Sequence, residues 1–385
     1  LVLSDIKKIA IIGPAHPLRG GIANFNEALA KALLNNGKEV KLFSFKLQYP
    51  AFLFPGTTQF DNGPAPKDLK IETILNSVNP FNWFLSAFKI KAFKPDLIIV
   101  RFWLPFMGPC LGSVIRIIKL FCKVPVVAIT DNVIPHEKRL GDHLFTKYFV
   151  KSCDAFVAMS KSVLTDLSKF TNNENKIFLP HPLYTIFGEP VDKTKALAKL
   201  DLNPDDVNIL FFGFIRKYKG LSLLLKSFAK TAQKHANVKL IVAGEFYEDS
   251  EPYLNLIRNL NIEDKVILKT NYIPADDVKN YFSACDLVAQ TYLTATQSGV
   301  TQIAYFYHTP MLVTNVGGLA EIVPHYKVGY VCEQDEIKIS ECLNDFIENN
   351  RYTQFSDNIK LEKHRFEWNY FTDGIFKLIK NIVKD

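Results

Sequence analysis

No pair of cysteines in this 385-residue chain has CxxC spacing, and no cysteine–histidine cluster has the spacing of a zinc site. Cys110, Cys122, Cys153, Cys285, Cys332 and Cys342 stand singly among apolar residues. That pattern fits reduced, buried thiols better than a disulfide framework. Blocks of lysine and arginine are also missing. The net charge of +7 is spread along the chain, which argues against a nucleic-acid partner and leaves an anionic substrate, a membrane surface or a merely basic exterior. A membrane-spanning helix needs about 20 mostly apolar residues. The greasiest stretch, 104–129, is broken by Arg116, Lys119 and Lys123 and by Pro105, Pro109 and Pro125. The opening residues LVLSDIKKIAIIG run straight into a strand pattern without a leader-like segment. A cytoplasmic protein, soluble or peripheral at the membrane, is the expectation.

The dinucleotide fingerprint GxGxxG is missing too, because Gly13 is followed by Pro14 and Ala15, and with it the main argument for a nicotinamide cofactor. What the chain does have is alternation. Short apolar runs, KIAII (8–12), EVKLFSF (39–45), DLIIV (96–100), PVVAI (125–129), AFVAM (155–159) and KIFLP (176–180), are separated by segments of helical period. Near-continuous apolar strands of this kind belong to parallel sheets covered on both faces. After a polar, proline-containing stretch around 188–206 the pattern restarts with NILFFG (208–213), VKLIVAG (238–244), VILK, DLVA and PMLV. An amphipathic helix, YFTDGIFKLIKNIV, closes it. The expected fold is α/β, with two doubly wound Rossmann-like domains over 1–187 and 188–365. Ligands of such sheets sit at the carboxyl ends of strands.

Five loops at those ends carry candidate chemistry. In GPAHPLRGGIANFN, Gly20 and Gly21 open a helix whose amides could face a phosphate, or form a turn needing positive φ. TDNVIPHEKR brings Asp131, Asn132, His136, Glu137 and Arg139 to one strand end, although a loop histidine is often only solvated. In FFGFIRKYKG, Gly213 ends the strand, and Arg216 and Lys219 offer a planar fork and a point charge to a diphosphate; a solvated basic turn is the alternative. TYLTATQSGV supplies Thr294, Thr296, Gln297 and Ser298, and Ser298, Gly299 and Val300 begin a helix that Ser298 could simply cap. In TNVGGLAEIV, Glu321 follows Gly317 and Gly318 and either caps its helix or meets a ligand.

The order GG loop, FGFIRKYKG, QSGV and VGGLAE resembles the retaining GT-B glycosyltransferases that include the bacterial family-four enzymes of polysaccharide and lipid-sugar synthesis. The resemblance covers essentially the whole chain and is strongest over 208–331. It implies two Rossmann-like domains facing across a cleft, a nucleotide-diphosphate sugar held by the second domain, and a glycan or lipid-linked acceptor at the first. The C-terminal helix, about 366–385, would return to the first domain. Gly20 and Gly21 would approach the diphosphate. Arg216 and Lys219 would neutralise it in place of a metal, and the amides of Ser298, Gly299 and Val300 would complete the cradle. No cofactor is implied beyond the donor.

Two departures stand out. The family's pair of glutamates seven residues apart is replaced by Thr294 or Ala295 and by Gln302 or Ile303, leaving Gln302 to bond a ribose hydroxyl. The family's sugar-contacting histidine after the strand PVVAI is represented by Asp131, with His136 five residues on. A nucleotide-sugar-binding protein without catalysis and a GT-B-like epimerase remain alternatives. On the acceptor side, FNWFLSAFKIKAFK (81–94) mixes aromatic residues with lysines, as a membrane-contacting helix or a packed helix with a basic outer face would. QYPAFLFPGTTQF (48–60) is a candidate acceptor-groove loop.

Overall fold

The computed structural model describes residues 6–50, 59–61, 63–135, 139–184, 186–295 and 298–383. It divides into two compact units, Leu1–Pro180 with Trp368–Asp385, and His181–Glu367.

The first unit is built on a seven-stranded parallel sheet: β1 (Lys8–Ile12), β2 (Glu39–Leu47), β3 (Lys70–Asn76), β4 (Leu97–Phe102), β5 (Val126–Thr130), β6 (Ala155–Ala158) and β7 (Lys176–Phe178). Their order is β3-β2-β1-β4-β5-β6-β7. Every residue of β4 and β5 is buried, as strands covered by helices on both faces must be. Helix Gly21–Asn35 buries Phe25, Leu29 and Leu33 at helical spacing and ends just before Gly37. Helix Trp368–Val383 packs beside it: the Phe25 ring lies 5.1 Å from Trp368 and 5.6 Å from Phe371. Ile375, Leu378 and Ile379 complete that apolar contact.

The second unit repeats the plan with six parallel strands: β8 (Val207–Phe212), β9 (Val238–Ala243), β10 (Val266–Lys269), β11 (Leu287–Gln290), β12 (Met311–Thr314) and β13 (Gly329–Cys332). Their order is β10-β9-β8-β11-β12-β13. In both sheets the order reverses beside the first strand, between β1 and β4 and between β8 and β11, the crevice where doubly wound sheets bind ligands.

Residues 181–187 fall in the second unit, whereas the sequence reading ends the first domain at 187. Leu183 is part of the second core, and its N–H donates to the Phe366 carbonyl at 2.8 Å. The proline-containing stretch around 188–206 contains a helix, Lys193–Leu200, whose Ala196 and Leu197 belong to that core. Two strands lie outside the sequence reading. β3 is an edge strand with charged residues, held to β2 partly by the Lys41–Glu72 ion pair at 2.7 Å. β13 is four residues long and begins at a glycine. No helix among the described residues is long and apolar enough to cross a membrane.

Candidate functional site

At the carboxyl end of β8 the chain turns sharply, and two glycines make the turn possible. Gly213 has φ +94°, and a Cβ there would stand 2.9 Å from the Lys219 ammonium and 4.0 Å from Val300. Gly220 has φ +70°, and a Cβ would lie 1.9 Å from the Thr291 carbonyl oxygen. Thr291, just past β11, also donates from its hydroxyl to the Gly220 carbonyl at 2.9 Å. The loops after β8 and β11 are thereby pinned together at the switch point, and Gly213, Lys219 and Val300 converge.

Lys219 is only 8% exposed, its ammonium 5.8 Å from the Tyr292 ring centroid. It forms no ion pair with a carboxylate among the described residues. Burial, with a smaller contribution from repulsion by Arg216, pulls its pKa down to about 8. A buried cation is costly without a partner, so an anion entering this turn would be bound favourably. Arg216 is exposed, with its guanidinium 5.0 Å from the Tyr247 ring.

Helix Gly299–Phe306 starts opposite. Ser298 is its N-cap, accepting from the Val300 N–H at 3.3 Å and facing the Tyr292 hydroxyl at 3.2 Å. The capping reading of Ser298 therefore holds, and Gly299 remains exposed at the helix start. Gln302 is 1% exposed, and neither of its amide atoms has a hydrogen-bond partner among the described residues. Its side chain is buried within the second unit. Gln290, at the end of β11, has an unpartnered buried amide of the same kind. Glu321 lies in the first turn of the short helix Leu319–Ile322 after β12, half-buried. Thr296 and Gln297 lie outside the described residues.

In the first unit, Gly20 is the N-cap of helix Gly21–Asn35 with φ +114° and makes no side-chain cap. Gly20 and Gly21 are exposed, and among the described residues no atom beyond the chain neighbours lies within 4 Å of a Cβ built on Gly20. The first amides of that 15-residue helix can thus be approached closely, with the positive end of its dipole behind them.

Asp131 follows β5, and its carboxylate is engaged by Arg101 at the end of β4. Nε donates at 2.7 Å and Nη2 at 2.5 Å. The Arg101 guanidinium is buried and stacks 3.9 Å from the Phe25 ring centroid. A two-point grip of this kind fixes the position and orientation of the carboxylate. The sequence reading did not single out Arg101; a lone arginine ending the run DLIIVR at a strand's carboxyl end was the available signal. His136 and Glu137 lie outside the described residues.

The family model described as "Glycosyl transferases group 1" matches residues 192–362. A second, "Glycosyltransferase Family 4", matches residues 19–181. The chain belongs to the GT-B glycosyltransferases of this family-four type. YtcC of Bacillus subtilis, assigned as a glycosyltransferase, is 34% identical over 40% of this chain and 38% of its own length. An uncharacterized glycosyltransferase of Haemophilus influenzae is 29% identical over 60% of each chain. The chain thus spans under two thirds of either relative. Among solved structures, Anabaena HepE in complex with UDP superposes with a TM-score of 0.72 at 16% identity, covering 97% of this chain and 100% of HepE. That likeness establishes this glycosyltransferase's fold: two parallel-sheet α/β domains of the GT-B type.

Proposed function

We propose that this glycosyltransferase moves a sugar from a nucleoside-diphosphate sugar to a glycan or lipid-linked acceptor, with retention of anomeric configuration and without a metal. The observation that carries the reading is the buried Lys219 ammonium beside Gly213, with Arg216 in the same turn. In the transfer, the bond from the anomeric carbon to the β-phosphate oxygen breaks and a bond to the acceptor oxygen forms. Negative charge grows on the departing diphosphate, whose β-phosphate oxygen takes the proton given up by the acceptor hydroxyl. Lys219 and Arg216 supply fixed positive charge where that charge develops, and the start of helix Gly299–Phe306 adds its dipole. Asp131, held by Arg101, would accept a hydrogen bond from a sugar hydroxyl. HepE is a structure solved with UDP-glucose, which makes a uridine diphosphate sugar the first donor to try.

The test is a screen of UDP-, GDP- and ADP-sugars for turnover, read by mass spectrometry with and without EDTA. Lys219→Ala should lower kcat by roughly a hundredfold or more. Turnover that requires a divalent metal would contradict the roles given to Lys219 and Arg216. A non-catalytic sugar-nucleotide binder is the second reading, favoured by the absence of an acid at 294 or 302 and by the buried Gln302. Tight donor binding with no turnover of any donor–acceptor pair would select it.

A further inference from the structure

Helix Pro80–Ala92 of the first unit is apolar on both sides. Ser86, Ala87 and Ile90 face inward and are buried, and Trp83 packs on the same core. On the opposite side Phe81, Phe84, Leu85 and Phe88 recur at positions i, i+3, i+4 and i+7. Phe81 is 86% exposed, and Phe84 and Leu85 are exposed with it. A surface helix of a globular domain normally turns polar residues outward. The row continues onto the end of helix Gly108–Phe121. Phe84 and Phe88 lie 4.8 Å apart, Phe88 and Phe121 5.1 Å apart, and the neighbouring Leu120 is 78% exposed. Contiguous exposed apolar surface of this kind marks an interaction site.

The charge around it is one-sided. Helix Pro80–Ala92 carries Lys89 and Lys91 and no acid. Lys89 pairs with Glu72 at 3.5 Å, and behind the patch Lys119 pairs with Asp154 at 2.7 Å, which leaves Lys91, Lys94 and Lys123 as the uncompensated charges among the described residues. The Lys91 ammonium lies 4.8 Å from the Phe121 ring centroid. Lys94 and Lys123 are exposed, and no ion pair of either is found among the described residues. An isologous contact between two copies would bring these lysines against each other, which disfavours self-association. Aromatic side chains beside unpaired lysines match the headgroup boundary of an anionic bilayer, where apolar burial and electrostatic attraction act together.

We infer that the outward face of helix Pro80–Ala92, with Leu120 and Phe121, docks this protein on an anionic lipid surface. The face is formed by helix sides, and its action is measured without donor or acceptor, so it stands apart from the proposed reaction.

The experiment is vesicle co-sedimentation of the full chain on phosphatidylcholine with and without phosphatidylglycerol, across a salt series. Binding should need phosphatidylglycerol and weaken as salt rises. Phe81→Ser with Leu85→Ser, and separately Lys91→Glu with Lys94→Glu, should each reduce partitioning at least roughly tenfold. Circular dichroism and the unchanged Tm of the charge variant guard against loss of fold. As a second readout, Phe81→Trp should show a blue-shifted emission quenched by bromo-lipids on anionic vesicles only. Equal behaviour on neutral and anionic vesicles, wild-type partitioning by both double variants, or self-association through this face without vesicle binding would overturn the inference.

Discussion

With its pKa drawn down to about 8 by burial, Lys219 loses its charge a little above neutrality, where an exposed lysine would keep it. If the charged form grips the diphosphate, kcat/KM should fall as pH rises through about 8, and Lys219→Arg should remove that limb because guanidinium stays protonated. The stability consequence has the opposite sense. Between about 8 and the ordinary 10.5 the unfolded chain holds a proton that the folded chain has released, so stability rises with pH through that window. Below it the buried charge costs on the order of 3 kcal/mol. Lys219→Met should therefore raise Tm at neutral pH while abolishing the Tm increase given by a nucleoside diphosphate, both read by thermal melts. Gln302 makes a related prediction. Its buried amide lacks partners, and replacing such a group with an apolar one of similar size costs little or stabilises by about 1 kcal/mol. Gln302→Met should thus keep or raise Tm. An accompanying rise in donor KM would mean that the side chain turns outward when donor binds.

At the scale of elements, the turn between β8 and helix Leu221–Ala232 depends on one missing Cβ. Gly220→Ala would place a carbon 1.9 Å from the Thr291 carbonyl oxygen in a left-handed conformation, costing about 1–3 kcal/mol or more. A lower Tm and lost donor binding are expected together, since the same turn carries Lys219. A wild-type Tm would mean that the two loops are not locked. The strands that position this turn were legible in sequence because β4, β5, β8 and β9 bury nearly every side chain, leaving unbroken apolar runs. β3 and β13 were not, one alternating with charges at an edge and the other opening on a glycine that reads as a turn. The site was legible in part for a similar reason. Glycines mark turns in any sequence, so the loops could be located, but the Arg101–Asp131 pair joins positions 30 residues apart that only strand order brings together. Burial of Gln302 was hidden because a helix face is assigned by its surroundings.

Across the whole molecule, the first unit is discontinuous: residues up to Pro180 are completed by Trp368–Asp385. The Phe371 and Ile375 side chains are fully buried in its core. Phe371→Ala should cost about 3–5 kcal/mol, seen as a lower denaturation midpoint of that unit, with the continuous unit His181–Glu367 unaffected. Equal loss in both transitions would show that the units melt as one. The same arrangement orders events during synthesis. Helix Trp368–Val383 is made only after the entire second unit, so the patch around Phe25 and Leu29 that it covers must wait. The N-terminal sheet emerges first and is finished last, while the inserted domain can close as soon as its own chain is out. A released chain truncated just before Trp368 should carry a protease-resistant second unit beside a first unit still open to cleavage.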